Sequence, residues 1–160
     1  MRTLRLHCRN RRLVVLLASL FAPDGPRAKL QALDTFAAEI TRIPGLVSEP
    51  QLGQIRQQWW IDTLAAGASG HPVAEALLAA RFPVEPLQQL IAAHEFDLYD
   101  DVMPDLQALE LYLGETSSVL IQLAALALDP RAAPKAAEAA GLAGVAYGLA
   151  RLLVQAQPKF

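Results

Sequence analysis

The sequence predicts an all-α protein, an antiparallel bundle of about six or seven helices. Three observations lead there. Apolar residues recur at three- and four-residue steps, the period of one helical face. Prolines and glycines cut the chain into helix-length pieces. No run alternates with the two-residue period of a strand, and no fixed-length repeat is present. Helices joined by short turns bury their apolar faces most simply as an antiparallel bundle.

Residues 1–12 read as a basic lead, expected to be disordered, and residues 13–160 as a single helical domain. Five arginines precede the apolar run Leu13–Ala22, and no acid occurs before Asp24. A basic region followed by a short apolar one has the form of a leader peptide. The run is shorter than the roughly 20 residues that span a bilayer. A buried first helix behind a basic lead is the favoured reading, with an organelle or secretory leader as the alternative.

Pro23-Asp-Gly-Pro26 makes the first break. A helix follows over about 27–43, with Leu30, Leu33, Phe36, Ala37 and Ile40 on one face, and Pro44-Gly45 stops it. Ser48-Glu49-Pro50 opens the next, with proline in the first turn, where its missing N–H costs nothing. That helix carries Ile55, Trp59, Ile61 and Leu64 and ends at Gly67-Ala-Ser-Gly70. His71-Pro72 starts a short helix through Ala80, and Pro83–Pro86 starts another, predicted to run from Leu87 to Leu98 or Tyr99. Asp105, after Pro104, reads as the N-cap of a long helix over 106–128. Pro130–Pro134 breaks the chain again, and the last helix covers about 135–155. Its Gly141, Gly144 and Gly148 are spaced to let another helix approach closely. That helix is apolar on more than one side, so it needs cover from a second subunit or from helices beyond this chain.

At 160 residues, 53% hydrophobic and 19% charged, the chain suits one globular domain and is no disordered tail. A net charge of -2 excludes a general nucleic-acid binder. The single cysteine, Cys8, has no internal disulfide partner, and no Cys/His spacing suits zinc. Seven of the 14 basic residues precede position 32, whereas no Lys or Arg lies between Arg81 and Arg131. That middle stretch is rich in acids, Asp97, Asp100, Asp101 and Asp105 among them. The chain is therefore basic at its start and acidic in its middle.

Three features carry potential chemistry. His94, Asp97 and Asp101 stand at i, i+3 and i+7, so a continuous helix would align them on one face. Asp97 and Asp101 are the candidate metal ligands, because paired carboxylates a turn apart suit magnesium on a diphosphate. Pro104 separates Asp105 from that face. Trp59 and Trp60 are adjacent and cannot share a helix face, so one anchors the core and the other lines a cavity or interface. Gly114-Glu-Thr-Ser-Ser118 interrupts the long helix with poor helix formers, where Glu115 could meet a ligand or a water. No phosphate loop, GxSxG or HExxH motif occurs.

The runs Ile55-Arg-Gln-Gln-Trp-Trp-Ile-Asp-Thr-Leu64, His71-Pro-Val, Ala92-Ala-His-Glu-Phe-Asp-Leu98 and Leu109-Glu-Leu-Tyr-Leu-Gly-Glu-Thr-Ser-Ser118 stand in this order. With Ser19-Leu-Phe-Ala-Pro23 and Gly141-Leu-Ala-Gly-Val-Ala-Tyr-Gly148, they resemble the squalene/phytoene synthase family from about residue 13 onward. The resemblance implies a partial isoprenoid-synthase bundle. It also implies head-to-head joining of prenyl diphosphates, with two Asp-rich motifs holding magnesium. Cations assist diphosphate departure, and the carbocation left behind needs a dry aromatic cavity. Trp59, Trp60 and Tyr112 are the candidate pocket walls.

The family's first Asp-rich motif falls on Thr41 and Gly45, which cannot replace aspartates. The second should follow the last helix, where this chain ends, which implies C-terminal truncation. These departures resemble a branch of the family related to a respiratory complex I assembly factor, whose members keep the fold without the synthase signature. The expected function is a family protein of isoprenoid or carotenoid biosynthesis with degenerate catalytic motifs. The alternative is a non-catalytic assembly or interaction protein. Magnesium is the expected cofactor if prenyl-diphosphate binding survives. The expected partner is a prenyl diphosphate or a protein, with no nucleic acid. A peripheral membrane contact or a homo-oligomer through the last helix would fit, in a cytoplasmic or membrane-peripheral location.

Overall fold

The computed structural model describes residues 17–67, 69–99 and 101–156. The basic lead at 1–12, Cys8 and Asp100 lie outside them. Among the described residues these helices follow in order: α1 Asp24–Thr41, α2 Pro50–Ala66, α3 Pro72–Ala80, α4 Val84–Ala93, α5 Leu106–Leu113, α6 Val119–Leu128 and α7 Ala133–Ala156. Short 3-10 turns occupy Ile43–Leu46 and Phe96–Leu98, and a π-helical turn at Gly114–Ser118 joins α5 to α6. The protein is thus an all-α bundle, as the apolar periodicity requires.

Punctuation set most of these boundaries. Proline stands in the first turn of α2 and of α3. Gly67 ends α2 with φ +69°, a left-handed conformation that costs glycine little, and its N–H bonds Thr63 O. Asp105 caps α5, its Oδ1 accepting from Ala108 N–H at 2.8 Å. Arg27 pairs with Asp24 at 2.9 Å and donates to Ala22 O at 2.8 Å, tying the entering segment onto α1. Pro134 lies inside the first turn of α7 rather than before it, since proline is tolerated there.

The core joins α1, α2, α3, α4 and α6. Leu33, Phe36 and Ile40 of α1 meet Trp60 and Leu64 of α2, Leu77 of α3, Leu90 and Ile91 of α4 and Leu123 of α6. Burying such side chains contributes about 1.5–3 kcal/mol each before chain entropy is counted. The helix α7 stands outside this core and packs on α6 and the π turn. Its glycines make the contact. A Cβ at Gly144 would meet Ser118 N at 2.6 Å, and one at Gly148 would meet Leu113 Cδ2 at 2.5 Å. Ser118 Oγ donates to Gly141 O at 2.7 Å across the same seam. Away from that seam α7 exposes Leu142, Tyr147, Leu153 and Val154. Among the described residues, Leu106–Leu128 and Ala133–Val154 are long and apolar enough to cross a membrane, and 33% and 17% of them are buried.

The end of one helix differs most from expectation. The fourth helix ends at Ala93, not near Leu98. No proline or glycine marks that end. The side chain of Leu98 instead packs directly on Gly53 of α2, in the space a Cβ would take. Gln54 Nε2 of α2 donates to Glu95 Oε1 at 2.6 Å. These contacts draw the chain off the helix axis and into a 3-10 turn.

Candidate functional site

The early end of α4 decides the fate of the acidic cluster. His94, Asp97 and Asp101 do not share a helical face, because the helix stops before His94 and Tyr99 is extended. Asp101 lies exposed in the irregular segment before α5. Asp97 turns inward instead.

There it forms a compact polar cluster. His94, 3% exposed, holds Asp97 Oδ2 through Nδ1 at 2.6 Å. The Tyr112 hydroxyl of α5 donates to Asp97 Oδ1 at 2.7 Å. A carboxylate only accepts, so the paired histidine nitrogen carries a proton. The His94 and Phe96 rings flank Tyr112 at 6.2 Å and 5.9 Å. Burial alone would push the Asp97 pKa up. The hydrogen bond and charge of His94, the Tyr112 hydroxyl and the charge of Arg151 on α7 outweigh it and hold that pKa below 3.8. Tyr112 is pushed well above its ordinary 10.0, by burial first and then by the neighbouring Asp97 charge and its hydrogen bond. At neutral pH the cluster is therefore a carboxylate locked between a buried imidazole and a neutral phenol.

That arrangement does not suit magnesium. Mg²⁺ demands nearly octahedral oxygen ligation, commonly through one or two carboxylates plus waters and phosphates. Both Asp97 oxygens are engaged, and among the described residues no second carboxylate joins His94 and Asp97. Among the described residues no group of three or more His, Cys, Asp or Glu is placed to hold a metal. At the positions where the resemblance implies aspartates, the Thr41 hydroxyl donates to Ala37 O at 2.7 Å within its own helix. Gly45 sits in the 3-10 turn Ile43–Leu46. Glu115 is exposed on the π turn, whereas Thr116, Ser117 and Ser118 are buried.

The tryptophans build a different place. Trp60 is 5% exposed and stands edge-on to Phe36 at 5.3 Å. Trp59 is 43% exposed and stands edge-on to Trp60 at 5.1 Å and to His71 at 5.5 Å. Together they line a groove of about 420 Å³ with Glu39, Arg42, Ile43, Leu46, Ile55, Arg56 and His71. Tyr112 does not line it, so the three candidate wall residues do not meet in one pocket. Tyr112 is held elsewhere by Asp97.

Sequence reasoning missed Arg42, Arg56 and His71 as groove residues and Arg151 as a neighbour of Asp97. The i, i+4 pairs Ile55/Trp59 and Arg56/Trp60 carried a local signal for part of the groove. Arg151 carried none, because α7 reaches Asp97 only through tertiary packing.

The squalene/phytoene synthase family matches residues 15–155. A curated bovine relative, NADH dehydrogenase (ubiquinone) complex I, assembly factor 6, is 32% identical over 115 residues. That alignment covers 67% of this chain and 34% of the relative, so the chain corresponds to about a third of that protein's length. No solved structure gives a significant match. With its all-α bundle and a family match over nearly its whole length, the chain belongs to the squalene/phytoene synthase family.

Proposed function

We propose that this chain is a non-catalytic member of its family that works by binding protein during assembly of a larger complex. The observation that carries the reading is the pair Thr41 and Gly45. Where the resemblance puts magnesium ligands there is a threonine bonded to its own helix and a glycine in a tight turn. Asp97 does not substitute, being engaged at both oxygens. The bovine relative is named as an assembly factor of NADH dehydrogenase (ubiquinone) complex I, which supports a partner of that class. The exposed Leu142, Tyr147, Leu153 and Val154 of α7 offer apolar surface to such a partner and suit a location at a membrane surface.

Two measurements test this. Calorimetric titration of the folded protein with a non-hydrolysable farnesyl diphosphate analogue should show no magnesium-dependent binding. Co-expression with subunits of an NADH dehydrogenase complex should yield a stoichiometric assembly by size-exclusion chromatography. Magnesium-dependent micromolar binding of the analogue would overturn the reading and restore the prenyl-transferase alternative.

A further inference from the structure

The groove between α1, α2 and His71 combines exposed apolar side chains with cationic ones. Its floor is the buried Trp60, and its walls are large apolar side chains that face water: Leu46 at 51%, Ile55 at 65% and Trp59 at 43% exposure. Its rim carries two guanidinium groups. The one carboxylate in its lining, Glu39, pairs with Arg42 at 3.0 Å. Arg56 is exposed and has no carboxylate partner among the described residues. Thr41 and Gly45 are not themselves in the lining, whereas their chain neighbours Arg42, Ile43 and Leu46 are.

We infer that this groove docks a segment of a partner protein that presents an aromatic or branched aliphatic side chain beside a carboxylate. The inference rests on the protein-binding reading above and names the chemistry of the partner. Charge selects the acidic neighbour: the lining carries one cation more than its internal pairing satisfies, and a carboxylate opposite Arg56 completes it. Shape selects a polypeptide. A small ligand is usually enveloped over most of its surface. Here the walls stand open, so only a chain that continues across the rim would cover Leu46 and Ile55 as well as the floor. A tryptophan and an arginine around a depression are the residue types that dominate protein interfaces. The edge-on stacking of Trp59 on both Trp60 and His71 fixes the wall in advance, so little side-chain freedom is lost on docking.

The test uses the full chain and three synthetic peptides of sequence EDFLDE, KKFLKK and EDAADE, with binding read from the tryptophan indole N–H signals in NMR titrations. EDFLDE should shift the Trp59 indole signal, and the other two should bind about tenfold more weakly or not at all. Arg56→Glu should reverse the preference between EDFLDE and KKFLKK, and Trp59→Ala, read by calorimetric titration because its indole reporter is gone, should weaken EDFLDE about tenfold. Both substitutions are at exposed positions, and circular dichroism would verify that each variant folds. Equal binding of the acidic and basic peptides, or binding of EDFLDE that ignores both substitutions, would overturn the inference. So would dodecyl phosphate below its micellar concentration shifting the Trp59 signal while EDFLDE does not. A stable assembly with an NADH dehydrogenase subunit untouched by either substitution would remove the groove and leave the protein-binding reading in place.

Discussion

Gly144 of α7 lies against the backbone of Ser118, close enough that a Cβ at Gly144 would stand 2.6 Å from the Ser118 nitrogen. The contact is backbone to backbone, so neither side can rotate away. It is one of the points where α7, which lies outside the main core, is held to the bundle.

Gly144→Ala should therefore destabilise the protein by about 2–3 kcal/mol, at the upper end of overpacking costs. Gly148→Ala meets side-chain atoms of Leu113 and Ser117, which can shift, and should cost about 1 kcal/mol. Gly141→Ala has only Gln122 Nε2 at 3.4 Å and should be neutral or stabilising by up to about 1 kcal/mol through helix propensity. Urea unfolding of the three variants would order them. A Gly144→Ala protein as stable as the parent would show that α7 is not seated as described.

Replacing the buried tryptophan should differ sharply from replacing its neighbour. Trp60→Ala removes the ring packed on Phe36 and should cost about 3–5 kcal/mol. Trp59→Ala empties a surface position and should cost about 1 kcal/mol or less. Thermal unfolding compares them directly.

The polar cluster predicts stability losses at both ends of the pH scale. The folded pKa of Asp97 lies below its unfolded value of 3.8, so its contribution is present above that value and is lost as acid protonates the folded carboxylate. Tyr112 is displaced upward instead. Above pH 10.0 the unfolded phenol ionises while the folded one resists, so the native state loses ground with rising alkali. Asp97→Asn should flatten the acid limb of a stability–pH curve. Tyr112→Phe should remove a tyrosinate absorbance step displaced above the ordinary phenol range.

Asp105→Ala should cost about 1 kcal/mol by leaving the Ala108 N–H without its cap, whereas Asp105→Asn should cost only a few tenths. Hydrogen exchange should place the loss in the first turn of α5.

Much of the bundle was legible because its boundaries are local chemistry. Prolines 50 and 72 open helices, Gly67 closes one, and Asp105 caps another. The glycine spacing of α7 announced a close helix contact, and the adjacent tryptophans had to split between core and surface. The end of α4 was illegible because nothing in residues 94–98 breaks a helix by itself. The contact of Leu98 with Gly53 supplies the reason from another element.

The amino-acid sequence by itself determined the helical class, most helix limits and the family, and it put Thr41 and Gly45 where the resemblance implies aspartates, since each depends on residue type and short-range spacing. Only the tertiary structure decided that both Asp97 oxygens meet His94 and Tyr112. It alone separated Tyr112 from Trp59 and Trp60, and placed Arg42, Arg56 and His71 around one groove. These are relations between residues distant in the chain, fixed by which helix faces pack, and no local period encodes them.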